Sequence, residues 1–144
     1  DIKSVSLLPN VLAKQSAAEV DAFEAWLVNK NGVVTEGSHS NAWIIIGNGT
    51  IITHPESVDI LSGVTRNRIL QTARENNIPV KERKFSVGEA KRAREAFLTS
   101  TSSFVVPVIQ IDDAVVANGK PGLMTQKLRQ LYLEAVEHPF SDTL

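Results

Sequence analysis

Four short segments of this sequence contain residue types that can bind an anion, act as a nucleophile or move a proton. Lys3 lies in a segment of small and apolar residues, where desolvation can turn an amine into a nucleophile. Glu36 lies among small polar residues at the end of a predicted strand. Ser62-Gly63-Val64-Thr65 begins a predicted helix, and the N-terminus of a helix presents free N–H groups to an anion. Residues 99–103, Thr-Ser-Thr-Ser-Ser, bring consecutive hydroxyl groups between two apolar segments.

Each of these segments, taken alone, also has an ordinary structural explanation. Most single lysines and glutamates lie on the surface, so Lys3 and Glu36 are each compatible with surface charge. Ser62 is a good helix cap without any ligand, and its spacing to the next residues is not that of a phosphate-binding P-loop. The hydroxyl run is also typical of a solvated polar loop.

Length and composition limit the class of protein. The sequence has 144 residues, which is typical of one domain, and its formal net charge of -1 excludes a globally basic protein held on nucleic acid by bulk charge. Cysteine is absent, which excludes a disulfide framework, thiolate catalysis and cysteine-bound zinc. The histidines His39, His54 and His138 lack metal-binding spacing, so no metal site is expected. No apolar run approaches the roughly 20 residues that span a bilayer.

The predicted elements that position these segments are helices alternating with short strands. Asn29-Lys30-Asn31-Gly32 and Gly47-Asn48-Gly49 predict tight turns, because asparagine and glycine tolerate the positive φ angles of hairpins. Helices are predicted at residues 7–24, 64–77 and 123–136, a short one after the capping box Ser86–Glu89, and strands at 23–28, 33–35, 42–46, 50–53, 80–85, 96–98 and 104–111. The fold class is therefore α/β or α+β, with a mixed or antiparallel sheet covered by helices.

The order of the four segments resembles that of the fold-type IV pyridoxal-phosphate enzymes, the family of D-amino-acid and branched-chain aminotransferases. The most specific part is Glu36-Gly-x-x-Ser40-Asn41-Ala42-Trp43, followed by Ile52-x-His54-Pro55 and by Ile60-Leu61-Ser62-Gly63-Val64-Thr65-Arg66. The hydroxyl run and Gly119-Lys120-Pro121-Gly122 follow in the matching order. The resemblance covers nearly the whole chain, so it is not a coincidence of one short motif.

The opening residues 1–15 resemble the D-amino-acid aminotransferase branch most closely. Branched-chain members typically carry tyrosine where this chain has Leu8, which weakens the branched-chain interpretation without excluding it. The resemblance therefore implies pyridoxal-phosphate-dependent transamination between an amino acid, most simply a D-amino acid such as D-alanine, and a 2-oxo acid such as 2-oxoglutarate. The alternatives are a branched-chain aminotransferase, a 4-amino-4-deoxychorismate lyase and, from another class, a non-catalytic domain that binds a phosphorylated ligand.

The resemblance also implies a role for each site residue. Lys3 is expected to form the Schiff base with the cofactor and then to serve as general base, and Glu36 is expected to face the pyridine nitrogen. The remaining residues are expected to hold the cofactor, one against the ring and the others around its phosphate: Leu61, Gly63, Val64, Thr65, Ser100 and Thr101.

Family members have two domains, and this chain, residues 1–144, resembles only the large C-terminal domain. The smaller N-terminal domain, absent from this chain, supplies an arginine to the phosphate and most of the site for the substrate carboxylate. We therefore expect the isolated chain to bind the cofactor weakly and to transaminate poorly. A cytoplasmic homodimer is expected, with no nucleic-acid or membrane partner.

Overall fold

The computed structural model describes residues 4–8, 24–37, 40–56 and 63–137. Within these ranges it contains strands β1 (Ser4–Leu8), β2 (Glu24–Val28), β3 (Val34–Gly37), β4 (Asn41–Ile45), β5 (Ile51–Thr53), β6 (Val80–Glu82), β7 (Glu95–Ser100), β8 (Phe104–Val108), β9 (Gln110–Ile111) and β10 (Ala114–Val115). The helices are α1 (Val64–Glu75), α2 (Val87–Lys91) and α3 (Leu123–Glu137). The predicted class, a mixed sheet with helices, is confirmed, but the strands form two sheets where the sequence predicted one.

The first sheet has the strand order β10-β9-β1-β2-β3. Strand β1 is parallel to both of its neighbours, β2 and β9, whereas β2 and β3 form an antiparallel hairpin. The predicted turn closes this hairpin, because the Asn29 side chain accepts hydrogen bonds from the N–H groups of Asn31 and Val33 and Gly32 adopts a φ of 76°.

The second sheet has the order β6-β5-β4-β7-β8. Strand β4 is antiparallel to β5 and to β7, and β6 is parallel to β5. This sheet is the middle layer of the molecule, since its two faces contribute alternate side chains to two hydrophobic clusters. Ala42 and Ile44 face the first sheet and α2, whereas Trp43 and Ile45 face α1 and α3. Burial on both faces explains why these strands read as continuous apolar runs.

Helix α3 begins at a buried carboxylate. Glu95, at the start of β7, accepts hydrogen bonds from the N–H groups of Met124 and Thr125 and from the Thr125 hydroxyl. Gly122 packs against the Glu95 side chain so closely that a Cβ there would overlap it. Helix α3 is therefore fixed to the middle sheet at its first turn.

Three predictions about elements need correction. The helix predicted at residues 7–24 is wrong at its ends, because Leu7 and Leu8 complete β1 and Glu24 begins β2; the residues between the strands lie outside the described ranges. The strand predicted at 80–85 ends at Glu82. The strand predicted at 104–111 is divided into β8 and β9, which belong to different sheets. In each case the hydrophobic periodicity did not define where the element ends, and pairing with distant strands determined its bounds.

Candidate functional site

Several strand ends and the start of α1 meet at one end of the two sheets. In the first sheet, Val5 of β1 pairs with Glu24 and Gly37 of β3 pairs with Trp26, so the start of β1 and the end of β3 flank the start of β2. The Gly37 N–H donates to the Ser40 carbonyl at 2.7 Å immediately before β4 begins. The start of β1, which directly follows Lys3 in the sequence, thus lies at the same sheet end as Glu36, which is half-buried in β3.

The second sheet brings the hydroxyl run to this same end. Asn41, the first residue of β4, pairs with Thr99 near the end of β7. The Trp43 indole N–H donates to the Thr99 hydroxyl at 2.9 Å, and the Trp43 ring stacks on Phe97 with ring centroids 5.3 Å apart. The Thr53 hydroxyl donates to the Ala42 carbonyl at 2.9 Å. These buried hydrogen bonds fix the positions of the residues at this end of the second sheet.

The N-terminus of α1 packs against this end of the second sheet and has no side-chain cap. Its N-cap is Gly63, and its first turn contains no acidic residue. A Cβ at Gly63 would lie 2.8 Å from Oδ1 of Asn41, so only glycine fits here without a shift of the Asn41 side chain. The first intrahelical bond runs from the Asn67 N–H to the Gly63 carbonyl. Helix geometry therefore leaves the N–H groups of the first turn without an intrahelical acceptor.

A hydrogen bond joins α1 to the hydroxyl run. The buried Thr65 hydroxyl donates to the Ser100 carbonyl at 3.2 Å. The Ser100 hydroxyl oxygen accepts from the Ser103 N–H at 3.0 Å, which closes a short loop in which Thr101 is exposed. Phe104, which follows Ser103, has a φ of 61°, an uncommon backbone angle for a residue with a bulky side chain. Two segments that the sequence suggested separately for an anion are therefore adjacent.

Arg66, for which no role was predicted, is buried beside this site. Its side chain is only 1% exposed, and it pairs with Glu82 at 2.7 Å and with Glu56 at 3.3 Å. It also donates to the His54 carbonyl at 2.9 Å, while its Nε has no hydrogen-bond partner. Arg66 is the last residue of the motif that begins at Ile60, but arginine is usually exposed in proteins, so no local pattern indicated its burial.

Some of the predicted positions lie outside the described residues: Lys3, Leu61, Ser62, His39 and His138. The side chain of Val64, the first residue of α1, is 72% exposed. Across the described ranges there is no group of three or more potential metal ligands. None of the described helices is long and apolar enough to cross a membrane.

Comparison with known proteins gives consistent results. A family model described as amino-transferase class IV matches residues 1–111. The D-alanine aminotransferase of Bacillus licheniformis is 43% identical over 129 residues, which are 90% of this chain and 45% of that protein. Among solved structures, the T.th. branched-chain amino acid aminotransferase with pyridoxamine 5'-phosphate has a TM-score of 0.89 and 28% identity, with 97% of this chain and 53% of that chain covered.

An aminotransferase from Brucella abortus, bound to the co-factor PLP, has a TM-score of 0.77 and 29% identity. That match covers 85% of this chain and 42% of the Brucella chain. The chain thus spans about half the length of the relatives that it matches.

Proposed function

This chain belongs to the class IV aminotransferase family, and we propose that it is the cofactor-binding part of a pyridoxal-phosphate-dependent enzyme that transfers an amino group between an amino acid and a 2-oxo acid. The observation that carries the proposal is the uncapped start of α1, which the Thr65–Ser100 hydrogen bond joins to the hydroxyl run. This anion-binding arrangement lies at the sheet end where β1 begins and β3 ends. An amine, a carboxylate and a phosphate site are therefore expected at one place.

The described residues fit the phosphate group of this cofactor. Free N–H groups at the start of a helix attract a doubly charged anion through hydrogen bonds and the helix dipole. Gly63 allows close packing there, and no acidic side chain of the first turn competes for the N–H groups. We assign the phosphate to Val64 and Thr65 on α1 and to Ser100 and Thr101 on the facing loop.

When bound, pyridoxal phosphate supplies an electron-withdrawing ring that stabilises negative charge on the α-carbon of the substrate. We assign Glu36 to the ring nitrogen, because a carboxylate at that atom favours its protonated form. Leu61 is assigned to one face of the ring. Lys3 is assigned to holding the cofactor aldehyde and to moving the proton at the substrate α-carbon, since a lysine amine can serve as both nucleophile and base.

D-Amino acids are the proposed donors, with D-alanine and 2-oxoglutarate as the first pair to assay. The support is the 43% identity to a D-alanine aminotransferase. A branched-chain aminotransferase is the second candidate, supported by the TM-score of 0.89 to such an enzyme at 28% identity. Production of D-glutamate from D-alanine would favour the first candidate, and production of L-glutamate from L-leucine would favour the second.

We also propose that residues 1–144 are the C-terminal domain of a two-domain, homodimeric enzyme. The chain covers 45% of the D-alanine aminotransferase and 53% of the branched-chain structure, which supports a further domain, whereas the C-terminal position and the homodimer follow from the family resemblance alone. The site for the substrate carboxylate and a further phosphate ligand then belong to the smaller N-terminal domain. On this proposal the isolated chain binds the cofactor weakly.

The test is reductive labelling of Lys3. Pyridoxal phosphate is added to this chain and to a longer protein that contains it, the adduct is reduced with borohydride, and the labelled peptide is mapped by mass spectrometry. We expect label on Lys3, at a lower concentration of cofactor in the longer protein. A Lys3→Ala variant is the control and should lose the label. Label scattered over surface lysines, with none on Lys3 in either protein, would refute the assignment and favour a non-catalytic binding domain.

A further inference from the structure

Arg66 is an unusual residue for the first turn of a helix. The positive end of the helix dipole lies there, so carboxylates are favoured and cations disfavoured. Burial of a guanidinium has a further cost, which ion pairs offset only when their geometry is good. Helix α1 nevertheless has a buried arginine and no acidic residue in its first turn. The charge of Arg66 is instead paired with two carboxylates outside the helix, those of Glu82 and Glu56.

Arg66 also fixes the position of that first turn. Its guanidinium bridges the His54 carbonyl, at the end of β5, and the Glu82 carboxylate, at the end of β6. The neighbouring residue, Thr65, bonds in another direction to Ser100 at the end of β7. Because β5 and β7 lie on opposite sides of β4, the two residues hold the start of α1 from both sides.

We propose that Arg66 is a positioning residue for the cofactor phosphate. Its guanidinium holds the first turn so that the N–H groups of Val64 and Thr65 face the phosphate. This inference rests on the proposed function, and it concerns a residue that does not itself contact the reacting atoms.

The chain offers a matched control on the same helix. Arg74 also pairs with Glu82, at 3.7 Å, but it lies in the last turn of α1 and its side chain is 66% exposed. An Arg74→Met substitution therefore removes a positive charge and a contact to Glu82 without changing the first turn. Arg66→Met removes the anchor itself, and Arg66→Lys keeps the charge but cannot bridge several acceptors as a planar guanidinium does.

The experiment measures the affinities of pyridoxal phosphate and of pyridoxal, which lacks the phosphate, by absorbance titration of the longer protein that contains this chain. The quantity of interest is the preference, the ratio of the two affinities, since a general loss of structure lowers both affinities together. In Arg66→Met we expect the preference to fall on the order of 10-fold or more, because the first turn loses its charge-assisted bonds to Glu82 and the His54 carbonyl and no longer holds its N–H groups towards the phosphate. Arg66→Lys should recover part of the preference, and Arg74→Met should retain the wild-type value.

Two results would overturn the inference: an unchanged preference in Arg66→Met, or equal decreases in Arg66→Met and Arg74→Met. If Arg66→Met does not fold, Arg66→Lys and Glu82→Gln test the inference instead. Both substitutions weaken the contact between Arg66 and Glu82, and each should lower the preference by several-fold. A wild-type protein that has no preference for the phosphorylated compound would contradict the proposed function itself. The two failures are therefore distinguishable.

Discussion

At the scale of single residues, the contact between Gly63 and Asn41 determines how closely α1 approaches the end of the middle sheet. The backbone at Gly63 is extended, with a φ of -97°, so other residues can adopt it. What excludes a side chain is the Asn41 Oδ1, 2.8 Å from the position of a Cβ. Asn41 therefore acts as a spacer that sets the height of the helix start above the sheet.

We predict that Gly63→Ala lowers the free energy of unfolding by about 1 kcal/mol, because the new methyl group displaces the Asn41 side chain or the helix start. Asn41→Ala in the Gly63→Ala background should restore part of this loss, since the clash is removed. Chemical denaturation of the two single variants and the double variant measures the coupling between the two sites.

The control for this cycle is Gly47→Ala. Gly47 lies in a turn where an added Cβ has no neighbour within 4 Å, and its φ is not positive. Its substitution should leave stability within about 0.5 kcal/mol of wild type. Additive effects of Gly63→Ala and Asn41→Ala would show that the spacing does not depend on this contact.

At the scale of elements, α2 shows how a short helix is held by its cap. Ser86 accepts from the Glu89 N–H at 3.1 Å, the Glu89 carboxylate accepts from the Ser86 N–H at 3.3 Å, and the predicted capping box is thus confirmed. Arg83 donates to the same carboxylate at 2.9 Å. The Arg83 hydrogen bond is the largest cause that lowers the pKa of Glu89 below its ordinary value of 4.5, and burial opposes it.

We predict that Glu89→Gln lowers the free energy of unfolding by about 0.5–1 kcal/mol at pH 7, a value kept small because the pair is partly exposed. A lowered pKa means that the folded state favours the ionised carboxylate. Its contribution is therefore complete above the ordinary value of 4.5 and is lost as the pH falls through the folded-state pKa.

Denaturation curves of wild type and Glu89→Gln between pH 3 and 7 test this, and the difference between them should shrink below about pH 4.5. Glu134→Gln, on the exposed face of α3, is the control and should change stability at pH 7 by less than about 0.5 kcal/mol. A difference between Glu89→Gln and wild type that is constant over the whole range would contradict the prediction.

The elements that the sequence predicted correctly are those with local signals. The Asn-Gly turn, the capping box and the helix that follows Gly63 each depend on residues within a few positions, and each was found. Leu7 and Leu8 are compatible with either helix or strand, and only pairing with β2 assigns them to β1. In the site, the adjacency of Thr65 and Ser100 was expected from the family order, whereas the burial of Arg66 depends on partners in β5 and β6 that no local pattern reveals.

At the scale of the whole molecule, the middle sheet is enclosed by the other two layers. Strands β4 and β7 are neighbours within that sheet and have partners on both of their edges. Trp43, Ile44, Phe97 and Leu98 are at most 1% exposed. The stability of the described part of the chain is therefore concentrated on these two strands, whereas α2 is short and mostly half-buried.

We predict that the backbone amides of β4 and β7 exchange with deuterium only through global unfolding, because their hydrogen bonds are covered on both faces. The amides of α2 should exchange by local opening at least about 10-fold faster. Native-state exchange followed by mass spectrometry makes the comparison within one sample, so that β4 and β7 serve as the internal reference. Protection of α2 equal to that of β4 would contradict this picture.

The pairing of β1 with β9 has a consequence for how the chain is made. Val5 pairs with Ile111, so β1 acquires its second neighbour only after residue 111 has left the ribosome. Contacts between such distant residues form slowly, because a long loop has to close first. The strand that follows Lys3 is therefore synthesised well before β9 and gains both of its strand neighbours only late in folding, so a cofactor held there as proposed is captured late.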